Sequence, residues 1–393
     1  MARTEYRPDQ LADRYESLLL QDVIPFWVRH GLDEQGGFFT YLDRDGAVYC
    51  TDKPVWLQGR IAWLFAHLYR TVEPREEWLN FSHRTLQFIT QHGFDTDGRM
   101  FFLLTRDGTP LRKRRYLFSE CFAVIAYAEY ARITDDREAA ERASELFDLI
   151  WRYHTTPALQ QPKEFPQTRP SKGHAMPMIL IATAQVLRLV DHRPALDQIA
   201  AVCRREILDQ FCKPEWRVLL ETVAPDGGFI DTPDGRCVNP GHAIETSWFL
   251  MREARRMGDP ALLNRAVEIL DWSLERGWDP EFGGLFYFTD VHGHPCVQYE
   301  WDMKLWWPHT EALVATAMAW RFTGDDRWLE WHERIHNWCW PRFGDPQFGE
   351  WYGYLHRDGS VSHRLKGNCW KGPFHLARAL IRSAKILKGE WND

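Results

Sequence analysis

The 393-residue sequence has no uninterrupted apolar run of the roughly 18 residues that a membrane-spanning helix needs. Its opening stretch, MARTEYRPDQ, also lacks the apolar segment of a secretory signal. None of its eight cysteines has the C-x-x-C spacing of redox or zinc sites. Basic residues are not in excess, since the net charge is -7. These absences predict a cytoplasmic protein with reduced thiols, and they argue against nucleic acid and membranes as partners.

Apolar and aromatic residues, in contrast, are abundant. Hydrophobic residues make up 45% of the chain, and there are 20 tryptophans. Most of these tryptophans are expected to pack between large helices, and a few could stack against a sugar. The length fits one large toroidal domain, and we predict a single catalytic domain over residues 1–393.

Glycine-containing segments recur along the chain. Each has a glycine, an aromatic or β-branched run, and then an Asp-Gly or His-Gly turn, which is typical of a β-hairpin. The segments begin at Asp33, Asp95, Leu220, Asp279 and Asp345. Their spacing gives a repeat of about 65 residues, longer than in the common solenoids, so that six units fill the chain. A proline-rich stretch, residues 153–172, replaces the hairpin of the third unit.

Pairs of helical patterns lie between these segments. The helix before each segment is amphipathic with one charged side, whereas the helix after it is rich in Ala, Leu, Ile and Trp. The first kind is expected on the outside of the molecule and the second kind inside. The sequence therefore predicts an all-α fold, an (α/α)6 barrel or toroid of six outer and six inner helices, with short β-hairpins between helices.

Polar residues stand at the start of each predicted inner helix. In chain order they are Arg60, Glu120, His174, His242, His309 with Glu311, and His375. Their spacing follows the structural repeat. Because the inner helices of such a ring run parallel, their N-termini should meet at one mouth. The pattern predicts a polar pocket there, to which Glu245, three residues after His242, would also contribute.

Five stretches of the chain resemble one enzyme family. They are WLQGR (56–60), NPGHAIET (239–246), EWDMKLWWPHTEAL (300–313), FGEWYGYLHRDG (348–359) and KGPFHLARAL (371–380). The chain is similar to the N-acylglucosamine 2-epimerases from about residue 10 to 385. The resemblance implies an (α/α)6 barrel that reversibly interconverts N-acetyl-D-glucosamine and N-acetyl-D-mannosamine. It also implies homodimers, and an activity that ATP stimulates as an allosteric activator without being consumed.

The resemblance assigns roles by position. It implies that His242 and His375 are the catalytic histidines, that Arg60 is the essential arginine and that Glu311 is the essential glutamate. The substrate-binding residues expected around them are His174, Glu245, Glu120, His309, Lys304 and Trp306. Two features depart from the family pattern: His174, where an apolar residue is expected, and the basic run RKRR (112–115).

Inversion at C2 of an open-chain sugar explains why histidines suit this position. The proton at C2, next to the C1 carbonyl, must leave from one face and return to the other. Histidine serves both steps, because its ordinary pKa of about 6.5 lies near working pH. In ring order, His242, Glu311, His375 and Arg60 lie on the fourth, fifth, sixth and first inner helices, which form one continuous arc. Helix N-termini should lower the pKa of both imidazoles and keep them neutral.

Other functions fit parts of the same pattern. An aldose-ketose isomerase, or an epimerase of sugars without an acyl group, would use the same intermediate. A toroidal glycoside hydrolase or lyase would need two opposed carboxylates, which Glu120, Glu245, Asp302 and Glu311 could supply. A non-catalytic sugar or protein binder is a third alternative, although the full set of polar helix starts argues against it.

Three short motifs suggest other ligands. HERIH (332–336) matches a zinc-protease pattern, but its histidines lie at the edge of an apolar stripe on a predicted outer helix. GNCWKGP (367–373) lacks the lysine and hydroxyl residue of a P-loop. No metal site is predicted. RKRR (112–115) is the first candidate to test for nucleotide binding, because it closely precedes the second inner helix.

Overall fold

Amphipathic and apolar helices alternate along the chain as the sequence predicts. A computed structural model describes residues 7–114, 116–159 and 165–391. In chain order the helices are α1 (Pro8–Leu18), α2 (Ile24–Gly31), α3 (Val55–Thr71), α4 (Glu76–His92), α5 (Phe118–Thr134), α6 (Arg137–Thr155), α7 (Ala175–Leu187), α8 (Ala195–Glu206), α9 (Pro233–Arg236), α10 (Pro240–Met257), α11 (Pro260–Gly277), α12 (Trp306–Thr323), α13 (Arg327–Phe343) and α14 (Phe374–Lys388). A π-helical turn, Leu19–Val23, joins α1 to α2, and a second one, Ile207–Phe211, extends α8. Short 3-10 turns occur at Pro157–Leu159 and Pro214–Trp216.

The inner ring consists of α3, α5, α7, α10, α12 and α14. Each of these helices packs against the next in chain order, and α14 returns to pack against α3 and close the ring. The outer ring consists of α1 with α2, α4, α6, α8, α11 and α13, which cover the inner helices from outside. This arrangement confirms the predicted all-α (α/α)6 barrel.

Residue pattern explains which helix takes which layer. On outer helix α6, the buried residues Ala139, Ala143, Phe147 and Ile150 recur at helical spacing, and the other side is polar. Inner helix α12 is buried without interruption from Trp306 to Ala319, because it contacts helices on both sides and the outer layer behind.

Short strands connect the helices at the mouth end of the ring. They are β1 (Tyr41–Leu42), β2 (Val48–Cys50), β3 (Lys53–Pro54), β4 (Phe101–Leu104), β5 (Pro110–Lys113), β6 (Lys172–Gly173), β7 (Cys212–Lys213), β8 (Val218–Leu219), β9 (Thr222–Val223), β10 (Cys237–Val238), β11 (Thr289–Asp290), β12 (Lys304–Leu305) and β13 (Tyr354–Leu355). All pairings among these strands are antiparallel.

The first two predicted hairpins form locally, as β1 with β2 and β4 with β5. At the later segments the main pairing differs from a local hairpin, because the strand pairs with a strand of a neighbouring repeat. Thus β9 pairs with β6, β11 with β10, and β13 with β12. Strand β6 begins at the last residue of the stretch 153–172, in which no hairpin was predicted. These pairings tie adjacent repeats together around the mouth.

No helix in the described part of the chain is long and apolar enough to cross a membrane. The HERIH histidines lie on outer helix α13, as predicted, and both are buried. The Tyr15 hydroxyl lies 2.8 Å from Nε2 of His332 and 3.2 Å from Nδ1 of His336. The motif therefore serves packing between α13 and α1.

Candidate active site

The N-terminal ends of the inner helices surround a cavity of about 920 Å³. Five of the predicted site residues line it, namely Arg60, His242, Glu245, Trp306 and His375. They come from the fourth, fifth, sixth and first inner helices, as the predicted arc requires. Mostly apolar residues of α5 and α7 form another part of the wall, and loop residues such as Glu221 and Tyr287 also line the cavity.

His375 lies in the first turn of α14 and is nearly buried. Its Nδ1 lies 2.8 Å from Oε1 of Glu311 on α12. Burial lowers the pKa of His375 to about 3. The positive charges of Arg60 and Arg378 also lower this pKa, whereas the Glu311 carboxylate raises it but does not outweigh them. At neutral pH the imidazole is therefore uncharged, and a proton on Nδ1 leaves the Nε2 lone pair as the base.

His242 lies in the first turn of α10, where Pro240 starts the helix and the Asn239 side chain accepts a hydrogen bond from the His242 backbone. Its Nδ1 lies 2.9 Å from Oε2 of Glu221, in the loop before the helix. Burial lowers the pKa of His242, but the Glu221 carboxylate outweighs burial, so the pKa is raised above its ordinary value. The expectation that helix N-termini lower the pKa of both imidazoles is therefore wrong for His242, because a carboxylate contacts it directly.

The Trp307 indole packs against both histidines. Its ring centroid is 5.2 Å from that of His242 and 5.8 Å from that of His375. A side chain at Gly241 would come within 2.6 Å of this indole, so the glycine before His242 allows the close packing. The two imidazoles thus share one cavity and flank the fifth inner helix as predicted.

Arg60 projects into the same cavity from the second turn of α3. Its guanidinium lies over the rings of Trp56 (4.2 Å) and Phe122 (4.0 Å), and within the described part of the chain its Nε has no hydrogen-bond acceptor. Burial lowers its pKa to about 9, which still leaves it charged at neutral pH. A cation held by apolar rings, with donor capacity to spare, suits an oxyanion that develops in the cavity.

Arg378 joins the two carboxylates behind His375. Its guanidinium donates to Glu245 at 2.9 Å and to Glu311 at 2.5 Å. Glu245, Glu311 and His375 could by geometry hold a metal ion, since one ligand atom from each lies within 4.8 Å of the others. The guanidinium already pairs with both carboxylates, so a metal ion would have to compete with it.

Two of the predicted substrate contacts lie away from the cavity lining. Glu120, in the first turn of α5, points outwards and accepts hydrogen bonds from Arg99 at 2.5 Å and from a backbone amide. His174, just before α7, is fully buried, with Nε2 3.0 Å from the Thr246 hydroxyl and Nδ1 3.7 Å from Glu221. His174 therefore lies behind His242, next to the same carboxylate, and its contact with substrate stays a prediction.

Two more of the predicted substrate contacts, His309 and Lys304, come from the KLWWPH stretch and also lie outside the cavity lining. His309 accepts a hydrogen bond from the Leu285 backbone at 2.8 Å and lies 2.6 Å from the Leu305 carbonyl oxygen. Lys304 forms a fully buried ion pair with Asp279 at 3.0 Å. Trp306, from the same stretch, does line the cavity, and its indole nitrogen is buried without an acceptor among the described residues.

Sequence reasoning missed Glu221, Trp307 and Arg378. Arg378 follows His375 by three residues and so shares its helix face, a signal that helical spacing could have provided. Trp307 lay within a quoted motif. Glu221 lies in a loop, where no periodicity indicates the direction of a side chain.

The basic run RKRR lies at the rim of the cavity. Arg112 and Lys113 end β5, and Lys113 is paired with Asp95 and Asp97. Arg114 lines the cavity, with its guanidinium 5.0 Å from the Trp370 ring centroid. Arg115 lies outside the described residues. Nucleotide binding by this run stays a prediction.

Solved structures of sugar-converting enzymes share the barrel. A cellobiose 2-epimerase from Bacillus thermoamylovorans superposes with a TM-score of 0.84 over 96% of this chain and 99% of that one, at 21% identity. A D-mannose isomerase gives a TM-score of 0.82 over 95% of this chain and 97% of that one, at 20% identity. At these identities the likeness shows the fold alone, and it places the protein in the class of (α/α)6-barrel proteins.

Sequence comparison narrows the class to a family. The bovine (Bos taurus) N-acylglucosamine 2-epimerase is 40% identical over 378 residues, covering 94% of this chain and 89% of that protein. The human (Homo sapiens) N-acylglucosamine 2-epimerase is 37% identical, covering 94% and 88%. The family described as N-acylglucosamine 2-epimerase (GlcNAc 2-epimerase) matches residues 37–379. The chain belongs to this family and is a sugar epimerase, an enzyme of the isomerase class.

Proposed function

We propose that the protein reversibly interconverts N-acetyl-D-glucosamine and N-acetyl-D-mannosamine by inverting C2 of the open-chain sugar. The family and the names of its mammalian relatives support the choice of substrate. The observation that carries the chemistry is the placement of two histidines, both packed against Trp307, in one cavity that Arg60 also lines. Each imidazole has its Nδ1 against a carboxylate, so each can use Nε2 for proton transfer.

The reaction needs two proton transfers and one stabilised anion. A neutral imidazole takes the C2 proton, and the C–H electron pair forms a C1–C2 double bond while charge moves to O1. The Arg60 guanidinium would donate to that oxygen. The second imidazole, in its protonated form, then gives a proton to the opposite face of C2, and the C1 carbonyl reforms.

The two histidines begin the reaction in different protonation states. The raised pKa of His242 and the lowered pKa of His375 favour a pair in which only one imidazole is protonated to the cation, and that imidazole is His242. In one direction His375 is then the base and His242 the acid. The reverse direction uses the same pair after the proton has moved to His375, and proton exchange with water restores the starting form.

Three further properties belong to the proposal, the first two of them on the strength of the family resemblance. We expect a homodimer, stimulation by ATP without its consumption, and a cytoplasmic location. All eight cysteines are free thiols, five of them buried, which fits a reducing compartment. Sedimentation, and rates measured with and without ATP, test the first two properties.

Among the alternatives, an aldose-ketose isomerase would use the same residues and return the proton to C1. A glycoside hydrolase is less well supported, because Glu245 and Glu311 share the Arg378 guanidinium on one side of the cavity rather than facing each other across it. Product analysis after incubation with N-acetylmannosamine, mannose and cellobiose separates these functions.

The two-histidine scheme is tested by isotope exchange. His242→Ala and His375→Ala should each lower interconversion by at least about 10²-fold. In deuterated water each variant should place deuterium at C2 of at most one epimer, a different epimer for each. His192→Ala, at an exposed position, should behave as wild type. A variant of either catalytic histidine that retains wild-type exchange on both epimers would refute the scheme.

A further inference from the structure

The lumen of the barrel continues well below the catalytic histidines. On α10 its lining extends from His242 to Arg252, a distance of about 15 Å along the axis at 1.5 Å per residue. Lining residues also occur on successive turns of α3, α5, α7 and α14, so the depth is shared around most of the ring. A linear hexose held at the histidines would occupy the upper part of this space.

The lower part of the lumen, here called the deep chamber, has mostly apolar walls. These walls are formed by Trp63, Ile125, Ala182, Val186, Trp248 and Phe249. Arg252 lies at its far end, and the Arg382 guanidinium lies in its wall, 4.7 Å from the centroid of the Trp248 ring. Ala182 is only partly buried although it lies inside the ring, because its methyl group faces the lumen rather than a neighbouring helix.

The position of Arg60 sets which end of the sugar enters first. Arg60 lies one helical turn below Trp56 on α3, whereas His242 and His375 occupy the first turns of their helices. If O1 meets the Arg60 guanidinium, the aldehyde end points down the lumen, and the carbons from C3 onwards extend towards the mouth. The C2 substituent then lies at the entrance of the deep chamber.

The geometry of the intermediate directs that substituent sideways. In the planar enolate, the nitrogen on C2 lies in the plane, and the two faces belong to the two imidazoles. The polar arc of α10, α12, α14 and α3 occupies one side of the lumen. The nitrogen must therefore point across it, to the apolar wall of α5 and α7 from which Ile125, Ala182 and Val186 lead downwards.

We propose that the deep chamber binds the N-acyl chain of the substrate, and that it accepts unbranched acyl chains longer than acetyl. Ala182 makes room for the longer chains, because its small side chain leaves space at the middle of the chamber. This inference rests on the proposed epimerisation at C2 of an N-acylated hexosamine. The walls select for aliphatic carbon, since each buried methylene favours binding.

The test is a series of acyl chain lengths. N-acetyl-, N-butanoyl- and N-hexanoylmannosamine are each offered to the wild-type enzyme and to Ala182→Val and Ala182→Leu, and kcat/KM is measured. The wild-type enzyme should turn over all three sugars. Relative to the N-acetyl sugar, Ala182→Leu should lower kcat/KM for the N-hexanoyl sugar by at least about tenfold, because the larger side chain overfills the chamber. Ala182→Val should have a smaller effect in the same direction.

A matched control uses Ala261→Leu, the same substitution at an exposed position on outer helix α11, which should leave all three ratios unchanged. If the wild-type enzyme turns over the N-acetyl sugar but not the longer ones, the chamber does not hold the chain. The same conclusion follows if Ala182→Leu lowers kcat/KM equally for all three sugars. If no N-acylated sugar is turned over, the proposed function itself fails, which is a separate result.

Discussion

Nδ1 of His375 lies 2.8 Å from Oε1 of Glu311, across the contact between the sixth and fifth inner helices. The contact selects the imidazole tautomer, since a carboxylate accepts a hydrogen bond and cannot donate one. Burial raises the pKa of Glu311, but Arg378 and His375 have a larger opposite effect, and the pKa is lowered to about 2. Glu311 therefore stays ionised, and it leaves Nε2 of His375 as the basic nitrogen.

Replacement of Glu311 by glutamine should disable this base. The amide keeps the shape but can donate to Nδ1, which would place the remaining proton on Nε2, the nitrogen that must accept the C2 proton. We expect kcat for Glu311→Gln to fall by about 10²-fold or more, with a smaller change in KM. Steady-state kinetics with both epimers measure this effect.

Glu120→Gln is the matched control for that variant. Glu120 is also a buried carboxylate paired with an arginine, Arg99, but it lies away from the cavity lining. We expect lower thermal stability and an almost unchanged kcat in the folded fraction. Equal kinetic losses in the two variants would contradict the assignment of Glu311 as the residue that orients His375.

Glu221 should control the alkaline side of the pH profile. The active pair carries one proton in either direction, so kcat/KM should fall at high pH as His242 loses that proton. Glu221 raises the pKa of His242. In Glu221→Gln the negative charge is gone, the pKa of His242 falls, and the alkaline limb should move to lower pH.

Because the equilibrium constant for neutral sugars does not depend on pH, the limb should move equally in both directions of the reaction. The profile is measured as kcat/KM against pH for each epimer. Glu215→Gln, at an exposed position, is the control and should leave the limb in place. A limb that stays in place in Glu221→Gln, or moves to higher pH, would mean that the fall at high pH does not report His242.

Arg60 should act on the intermediate more than on the substrate. Its guanidinium packs against the Trp56 and Phe122 rings, where a lysine would keep the charge but present fewer donors in a different position. We expect Arg60→Lys to lower kcat by about 10²-fold with a modest change in KM. If KM rises and kcat is unchanged, Arg60 binds the ground-state sugar instead.

The sequence predicted the ring and half of the polar helix starts for a clear physical reason. The repeat of helix pairs shows which residues stand at the mouth of the ring. It predicted that Arg60, His242 and His375 share one cavity, and in the structure all three line it. It does not show the direction of each side chain, because successive helical residues are rotated by about 100°. A difference of one or two residues is enough to turn Glu120 and His309 towards the outer loops.

The protonation of the pair could not be predicted in the same way. The effect of a helix N-terminus is general, but a loop carboxylate in contact with His242 outweighs it. Glu221 comes from one of the later glycine-containing segments, where strand β9 pairs with a strand of a neighbouring repeat. Tertiary pairing of this kind leaves no local pattern in the sequence.

Lys304 offers a test between a structural and a substrate-binding role. Lys304 and Asp279 form an ion pair in which both side chains are fully buried. Loss of one buried partner leaves the other charge poorly compensated, although Arg357 also contacts Asp279. We expect Lys304→Met to lower the free energy of unfolding by about 3 kcal/mol and to leave KM unchanged.

Denaturant unfolding and steady-state kinetics of the same preparation measure both quantities. Lys388→Met is the matched control, because Lys388 pairs with Asp13 and Glu16 at the surface, where an ion pair contributes about 0–1 kcal/mol. A several-fold rise in KM for Lys304→Met without loss of stability would support the sugar contact that the sequence predicts. A loss of stability alone would mean that Lys304 holds strand β12, and with it the start of α12, in place beside Trp306 and Trp307.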